Sequence, residues 1–356
     1  MEIEAAREAI ARTHLPFAAQ AELRRRARLR STHFSTRIEG NRLTLAETEQ
    51  VIENTRARFH GRERDVREVQ NYWRALLRVE EWADQKLPVT EELIQRLHAL
   101  VEKGARAKPT RYRDGQNVIR DLVSGATIYL PPEARDAPKL MRALVAWIQD
   151  AEKQRLPAPL IAGLAHYQFV TIHPYYDGNG RTARLLATFI LQRGGYGLSG
   201  FFSLEEHHAR DLHVYYRALA THPHPNYYEG RADADLTGWV EYFIRTLAAV
   251  FTAAQKHARE FATPPKNRQR AIADSAPLRR LDHRARAVIA LFVAQESITS
   301  TDVAATLGLS QRMARNLLRD WVEQGWLIVA QPSNRKRAYT LSAMYRQFIG
   351  NTERMP

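Results

Sequence analysis

His173-Pro174-Tyr175-Tyr176-Asp177-Gly178-Asn179-Gly180-Arg181-Thr182-Ala183-Arg184 is a glycine-rich turn between two apolar segments, PLIAGLAHYQFVTI before it and RTARLLATFILQ after it. Both flanks read as helices. Glycines just before a helix let the backbone approach a ligand closely. The first free N–H groups of that helix carry a partial positive charge and form an anion site, phosphate being the usual anion. Arg181 and Arg184 are three residues apart, share one helix face and can clamp the same polyphosphate. Asp177 is a hard oxygen ligand suited to magnesium beside phosphates. His173 can accept a proton near neutral pH. Base, metal ligand, anion nest and paired arginines together describe a phosphoryl or nucleotidyl transfer site. Each piece alone is commonplace: a His before Pro is usually packed or capping, and an Asp-Gly turn is often only a turn. Their ordering within twelve residues carries the reading.

The rest of the chain bounds the possibilities. Its 356 residues suggest two or three domains and can bury a core without metal or disulfides. There are no cysteines, which excludes disulfide scaffolds, cysteine nucleophiles, thiolate zinc sites and iron–sulfur clusters. Charged residues are 26% and hydrophobic residues 44%, ordinary for a globular protein. The N-terminal MEIEAAREAIARTHL lacks the apolar core of a secretory signal. The apolar run LLATFIL, residues 185–191, is far short of the roughly 20 residues of a membrane span. A soluble cytoplasmic protein is the expectation. The net charge is +14, and residues 266–356 hold fifteen Lys/Arg against seven Asp/Glu. A basic C-terminal quarter fits a polyanion partner or simply a solubilising surface.

Helical periodicity recurs in EELIQRLHALVEK (91–103), APKLMRALVAWIQDAEKQ (137–154) and LTGWVEYFIRTLAAVF (236–251). Strand signals are confined to RYRDGQNVIRDLVSGATIYL (111–130), where β-formers alternate around Asp-Gly and Ser-Gly; this predicts a small hairpin. FATPPKNRQRAIADSAPLRR (261–280) reads as a linker. The pairs His207-His208 and His222-Pro223-His224 read as surface or turn residues rather than metal ligands. Asn226 is a candidate base contact within a loop.

HPYYDGNGRTAR resembles the signature of the Fic (Fido) nucleotidyltransferases, H-x-F-x-[DE]-G-N-G-R-x-x-R. Tyr175 stands where that family usually has phenylalanine, so its hydroxyl needs a partner. Tyr112-Arg113, Gln116-Asn117-Val118 and Tyr129-Leu130-Pro131-Pro132 resemble the family's flap hairpin, and Glu68-Val69-Gln70-Asn71-Tyr72 the helix before the core. Tyr215-Tyr216 is similar to the helix that supplies an adenine-contacting tyrosine, with Pro223 where an asparagine is frequent. The resemblance spans roughly residues 30–250. It implies an all-α fold: a Fic-type helical core with a small β-hairpin flap, plus a C-terminal winged helix-turn-helix domain. The expected organisation is a helical region at 1–90, a catalytic core at 91–260, the linker at 261–280 and a winged helix at 281–356.

The resemblance also implies roles. His173 takes the proton of a target Ser, Thr or Tyr hydroxyl. That oxygen attacks the α-phosphate of ATP and pyrophosphate leaves. Asp177 holds Mg²⁺. Gly178, Asn179 and Gly180 form the anion hole, with Arg181, Thr182, Ala183, Arg184 and Tyr216 also in the nucleotide site. Asn117, Val118 and Ile119 dock the target. Gly180, where the phosphate-transferring Doc-like branch has lysine, favours AMP transfer. Ser35-Thr36-Arg37-Ile38-Glu39-Gly40-Asn41 looks like the family's inhibitory motif, [ST]-x-x-x-E-[GN]. Glu39 would pair with Arg184 and deny it to the γ-phosphate. The implied activity is protein AMPylation restrained by Glu39. A nucleotide-sensing DNA-binding regulator, or a de-AMPylase or other nucleotide transferase of the same fold, are the alternatives.

Residues 285–341 resemble a winged helix-turn-helix. Thr301 reads as the cap of a first short helix, Gly308 as the turn and Ser310 as the cap of the next. That helix would present Gln311, Arg312, Arg315 and Arg319 outward and Leu317, Leu318 and Trp321 inward. Arg335, Lys336 and Arg337 form the wing. Such modules bind DNA or dock proteins, and both partners stay open. By analogy, a homodimer could reinforce the inhibition.

Overall fold

The computed structural model describes all residues except 1, 14, 16, 55–56, 105–107, 121–123, 198–200, 263–282, 294, 332–336, 343–344 and 346–356. The chain divides into two compact units, one of residues 1–12 and 24–257, the other of residues 13–23 and 258–356. The expected linker falls almost wholly outside the described residues.

The first unit is helical. Its elements are α1 (Glu2–Ala11), α2 (Phe17–Ile38, residues 24–38 in this unit), α3 (Leu45–Glu53), α4 (Glu63–Asp84) and α5 (Glu91–Glu102). A two-stranded hairpin follows, β1 (Ile119–Arg120) with β2 (Thr127–Tyr129). Then come α6 (Ala137–Lys153), α7 (Ala158–Ile172), α8 (Asn179–Leu191), α9 (Leu204–Arg210), α10 (Leu212–Leu219) and α11 (Thr237–Ala262, residues 237–257 in this unit). The three periodic stretches read from the sequence are helices, and the hairpin lies where the turn signals put it.

Local chemistry sets the element bounds. The Thr90 hydroxyl accepts from Leu93 N (3.1 Å) and starts α5. Thr44 and Glu47 form a reciprocal capping box on α3. Along α4, Val69, Tyr72, Leu76, Val79 and Ala83 recur at three and four and are buried. α7 is apolar all round and forms the centre of the unit, packed against α8, α6 and α11. Gly163 makes this possible: a Cβ there would lie 2.8 Å from the Phe243 ring, and its carbonyl accepts from Trp239 Nε1 at 2.8 Å. The pair His207-His208 is not a surface turn: His208 is buried, with Nδ1 2.8 Å from the Tyr242 hydroxyl.

The second unit has α12 (His283–Ile289), β3 (Ile298–Thr299), α13 (Ser300–Leu307), α14 (Gln311–Glu323), β4 (Leu327–Gln331) and β5 (Ala338–Leu341). The sheet order is β3-β5-β4, antiparallel throughout. Val288, Ile298, Val303, Leu318, Trp321, Trp326 and Leu341 form its core. Gly308 is left-handed (φ 64°) and ends α13, and Ser310 caps α14, accepting from Met313 N. The cap of α13 is Thr299, not Thr301: Thr299 and Asp302 close the capping box, while the Thr301 hydroxyl accepts from Gln311. A short strand immediately before the helix moves its start two residues upstream.

The turn between α7 and α8 is fastened by its own side chains. Asn179 Oδ1 accepts from Tyr175 N (3.0 Å) and its Nδ2 donates to Tyr175 O (2.8 Å). The Tyr175 ring is stacked on His98, centroids 3.6 Å apart, and is 2% exposed. Its hydroxyl finds no hydrogen-bond partner among the described residues. A buried, unmatched hydroxyl is a net cost. Tyr175→Phe is therefore expected to hold or raise the unfolding free energy, by about 1 kcal/mol, in thermal or chemical unfolding. A clear loss of stability would show that the hydroxyl has a partner.

Candidate active site

His173 closes α7 in a left-handed conformation (φ 51°, ψ 57°), unusual for a residue with a side chain. Its Nδ1 lies 3.2 Å from Val170 O. A carbonyl only accepts, so Nδ1 carries the proton and Nε2 keeps its lone pair. Burial lowers the His173 pKa below the ordinary imidazole value, and Arg113 adds to this; the Val170 bond and the Glu39 and Asp177 charges act oppositely. The ring is thus neutral and can act as a base at physiological pH.

Gly178 (φ 75°) ends the turn, and α8 begins at Asn179. The first intrahelical bond runs from Thr182 N to Gly178 O (3.0 Å), leaving the N–H groups of Asn179, Gly180 and Arg181 ahead of it. These are the N–H groups expected from the sequence to form an anion nest. The Asn179 side chain is spent on Tyr175, so Asn179 contributes through its backbone. Thr182 and Ala183 are fully buried.

Two arginines of α8 are almost sealed from solvent. Arg184, 2% exposed at its side chain, donates from Nε to Ser35 Oγ (2.9 Å), and from Nη2 to Ser35 O (2.9 Å) and Glu39 Oε1 (2.8 Å). Burial works against its charge, but the Glu39 carboxylate together with the Tyr215 and Tyr72 hydroxyls more than offsets this and raises its pKa. Glu39 follows α2 directly, so that helix delivers both partners of Arg184. Its carboxylate also lies over Gly180: a Cβ there would sit 2.2 Å from Glu39 Oε1. Arg181 donates to Glu102 Oε1 (2.7 Å) and Asp177 Oδ1 (3.3 Å), with Glu68 Oε1 at 3.9 Å. Burial raises the Glu102 pKa, partly offset by Arg181.

Asp177 is half exposed, with a side chain 54% accessible. Oδ1 accepts from Gly178 N (2.7 Å), and Oδ2 takes Arg64 Nη2 at 3.2 Å. His98 Nε2 donates to Asp177 O (2.8 Å), and burial lowers the His98 pKa to about 4.

The hairpin leans on this turn. Asn117 Nδ2 donates to Tyr175 O (3.0 Å), tying the flap to the turn. Val118 is exposed, and Ile119 pairs with Tyr129. Tyr216 is half exposed, its hydroxyl donating to Ile38 O at 3.4 Å. Asn226 is not free for a base: Oδ1 accepts from Tyr228 N (3.1 Å) and Nδ2 donates to Glu229 (3.0 Å). In the second unit Arg312, Arg315, Arg319 and Arg337 are exposed; Arg335 and Lys336 lie outside the described residues.

Sequence reasoning missed Arg64, His98, Glu102 and the role of Arg113. All four act across long sequence separations, and only Arg113 lies in a stretch the sequence singled out, as part of the flap. Ser35 was visible only as a motif position; its double bond to Arg184 through hydroxyl and carbonyl was not.

The family model of the Fic/DOC family matches residues 88–191. The chain is 32% identical over 197 residues to protein adenylyltransferase Fic of Drosophila grimshawi, covering 53% of this chain and 38% of that protein. It is 31% identical over 195 residues to the Drosophila melanogaster protein of the same name, covering 54% and 38%. The chain thus spans well under half the length of these relatives. A Fic domain containing signaling protein from Bacteroides thetaiotaomicron VPI-5482 shares the fold, with TM-score 0.62, 24% identity, and coverage of 73% of this chain and 97% of that one. A Fic family protein from Desulfovibrio desulfuricans G20 superposes with TM-score 0.58 at 26% identity over 96% of this chain and 95% of that one. The motif turn, the two helices around it and the hairpin beside it all lie inside residues 88–191, the span that matches the Fic/DOC family model.

Proposed function

We propose that the protein is an ATP-dependent protein adenylyltransferase held in check by its own Glu39. The observation that carries this is the arrangement around α8. A neutral His173 with Nε2 free stands beside a helix N-terminus and two buried arginines, one of which Glu39 occupies.

The target hydroxyl loses its proton to His173 Nε2 as its oxygen bonds to the α-phosphorus. The bond to the pyrophosphate oxygen breaks, and AMP stays on the target. The N–H groups of Asn179, Gly180 and Arg181 would receive the phosphate oxygens, supported by Arg181. Gly180, lacking a side chain, leaves space at the α-phosphate. Tyr216 would bound the adenine, and the hairpin edge with Val118 would align the target segment. Asp177 suits Mg²⁺ in its donor chemistry: a half-exposed carboxylate whose Oδ2 is held only by the exposed Arg64. A magnesium ion bound through one carboxylate and substrate phosphates would neutralise phosphate charge.

Glu39 acts on two points at once. It satisfies Arg184, which then cannot also clamp the γ-phosphate, and it places negative charge over Gly180, where phosphate would lie. Incubation of purified protein with Mg²⁺ and ATP, read by intact mass spectrometry, tests the reading. Glu39→Gly is expected to gain an AMP-sized mass, wild type little, and Glu39→Gly/His173→Ala none. Equal adducts in wild type and Glu39→Gly would remove the brake; an adduct surviving His173→Ala would remove the base.

For the second unit, the helix–turn–helix order of α13 and α14, the following β4–β5 pair and the exposed Arg312, Arg315 and Arg319 support a winged helix-turn-helix reading DNA through α14. Binding of a DNA duplex, followed by fluorescence anisotropy at several salt concentrations, is expected to weaken in the triple Ala variant. The salt slope should fall by about 1 for each phosphate that the variant no longer neutralises. Unchanged affinity and slope would assign the unit to protein docking instead.

A further inference from the structure

Arg113 is 3% exposed, and among the described residues no carboxylate pairs with it. Its guanidinium is spent on neutral acceptors. Nε donates to His173 O (3.0 Å) and Nη1 to Gly115 O (3.0 Å), with Gln116 Oε1 at 3.4 Å. Nη2 donates to Pro132 O. Its backbone N–H donates to Pro174 O (2.9 Å). One side chain thus holds the carbonyl of the proposed base and both limbs of the hairpin, at residues 115–116 and at Pro132. With its own backbone it fixes two successive carbonyls, those of His173 and Pro174.

Burying a cation without a counter-charge is costly, and only a full set of acceptors offsets it. His173 also needs external support, because a left-handed residue with a side chain costs about 1 kcal/mol or more. That backbone conformation determines where the imidazole points and keeps Nδ1 near Val170 O. The Arg113 bond to His173 O holds it there from outside α7.

We infer that Arg113 is a positioning residue: its guanidinium locks the left-handed backbone of His173, and so aims Nε2, while tying that backbone to the target-docking hairpin. The inference deepens the adenylyltransferase reading and rests on it for the kinetic consequence only. Lysine keeps the charge but cannot supply a planar fork to several carbonyls. The geometry, not the charge, is what Arg113 contributes.

The test uses the full-length chain with Glu39→Gly as parent, compared with Arg113→Lys and Arg113→Met in that parent. Thermal unfolding comes first, to establish which variants are folded. Both substitutions are expected to lower kcat by about 10–100-fold while KM for ATP stays within about twofold, since a misplaced base slows the step without touching the nucleotide site. Rescue by lysine would overturn the inference in favour of a purely electrostatic role, and a loss confined to KM would overturn it too.

A second readout needs no activity. Ring-¹⁵N NMR of His173, assigned against His173→Ala, is expected to show the Nδ1–H tautomer in the parent and a mixture of tautomers in Arg113→Lys. An unchanged tautomer in a folded Arg113→Lys protein overturns the inference. If the parent forms no AMP adduct, the transferase reading fails, and the tautomer signature alone still decides the role of Arg113. Should Arg113→Met not fold, the lysine variant carries both measurements.

Discussion

The Arg184 guanidinium is a charge buried in the middle of a helical core, and the site is organised around satisfying it. An isolated cation there would be prohibitive, so it is met by a hydroxyl, a carbonyl and a carboxylate from one place, the C-terminal end of α2 and the residue after it. Ser35 gives the hydroxyl and the carbonyl, and would serve Arg184 in any state. Glu39 gives the carboxylate, and it is the replaceable one. A phosphate could take its place and supply the same charge. On the proposed reading, Arg184 would have two alternative anions, the built-in Glu39 carboxylate and a substrate phosphate, and the first would have to leave for the second to bind.

The neighbouring Arg181 is handled differently. Glu102, Asp177 and Glu68 surround it from three separate elements, so removing one carboxylate leaves others in place. In the proposed site this would make Arg181 a fixed part of the anion nest and leave Arg184 conditional on Glu39. Asp177 links the two themes: it accepts from the backbone of the turn, touches Arg181 and, through its outer oxygen, meets Arg64. The turn itself is rigid, because Asn179 braces Tyr175 and Arg113 braces His173. On the proposed reading, the geometry around His173 rests on hydrogen bonds to backbone atoms, while the element that would be regulated is an ion pair. Ion pairs can be exchanged for other ion pairs; a braced backbone cannot.

Much of this was legible in the chain. The twelve residues from His173 to Arg184 are contiguous, so base, nest and arginines come in register from one turn and one helix. Glu39 was legible because its motif is also local, although its partner lies 145 residues away. The periodic helices and the hairpin followed from apolar spacing and turn chemistry. What could not be read was whatever depends on distant elements meeting. Arg64 reaches Asp177 across 113 residues, and Arg113 reaches His173 across 60. Arg64 belongs to no pattern a sequence displays, and Arg113 was visible only as part of the flap stretch, not as a partner of His173. The misreadings have the same origin: His208 is buried because α11 brings Tyr242 to it, Asn226 is consumed by its own turn, and the α13 cap shifts to Thr299 because a strand precedes it. Tyr175 is the reverse case: the sequence demanded a partner for its hydroxyl, and the packing of the described residues supplies none.

The central claim is that Glu39 and the γ-phosphate compete for Arg184. Calorimetric titration of wild type and Glu39→Gly with ATP and with ADP, both with Mg²⁺, tests it most directly, because the two ligands differ only in that phosphate. The account predicts little preference for ATP over ADP in wild type and a preference of about tenfold or more in Glu39→Gly, the worth of one charge-assisted hydrogen bond. The same ATP/ADP ratio in both proteins would contradict it.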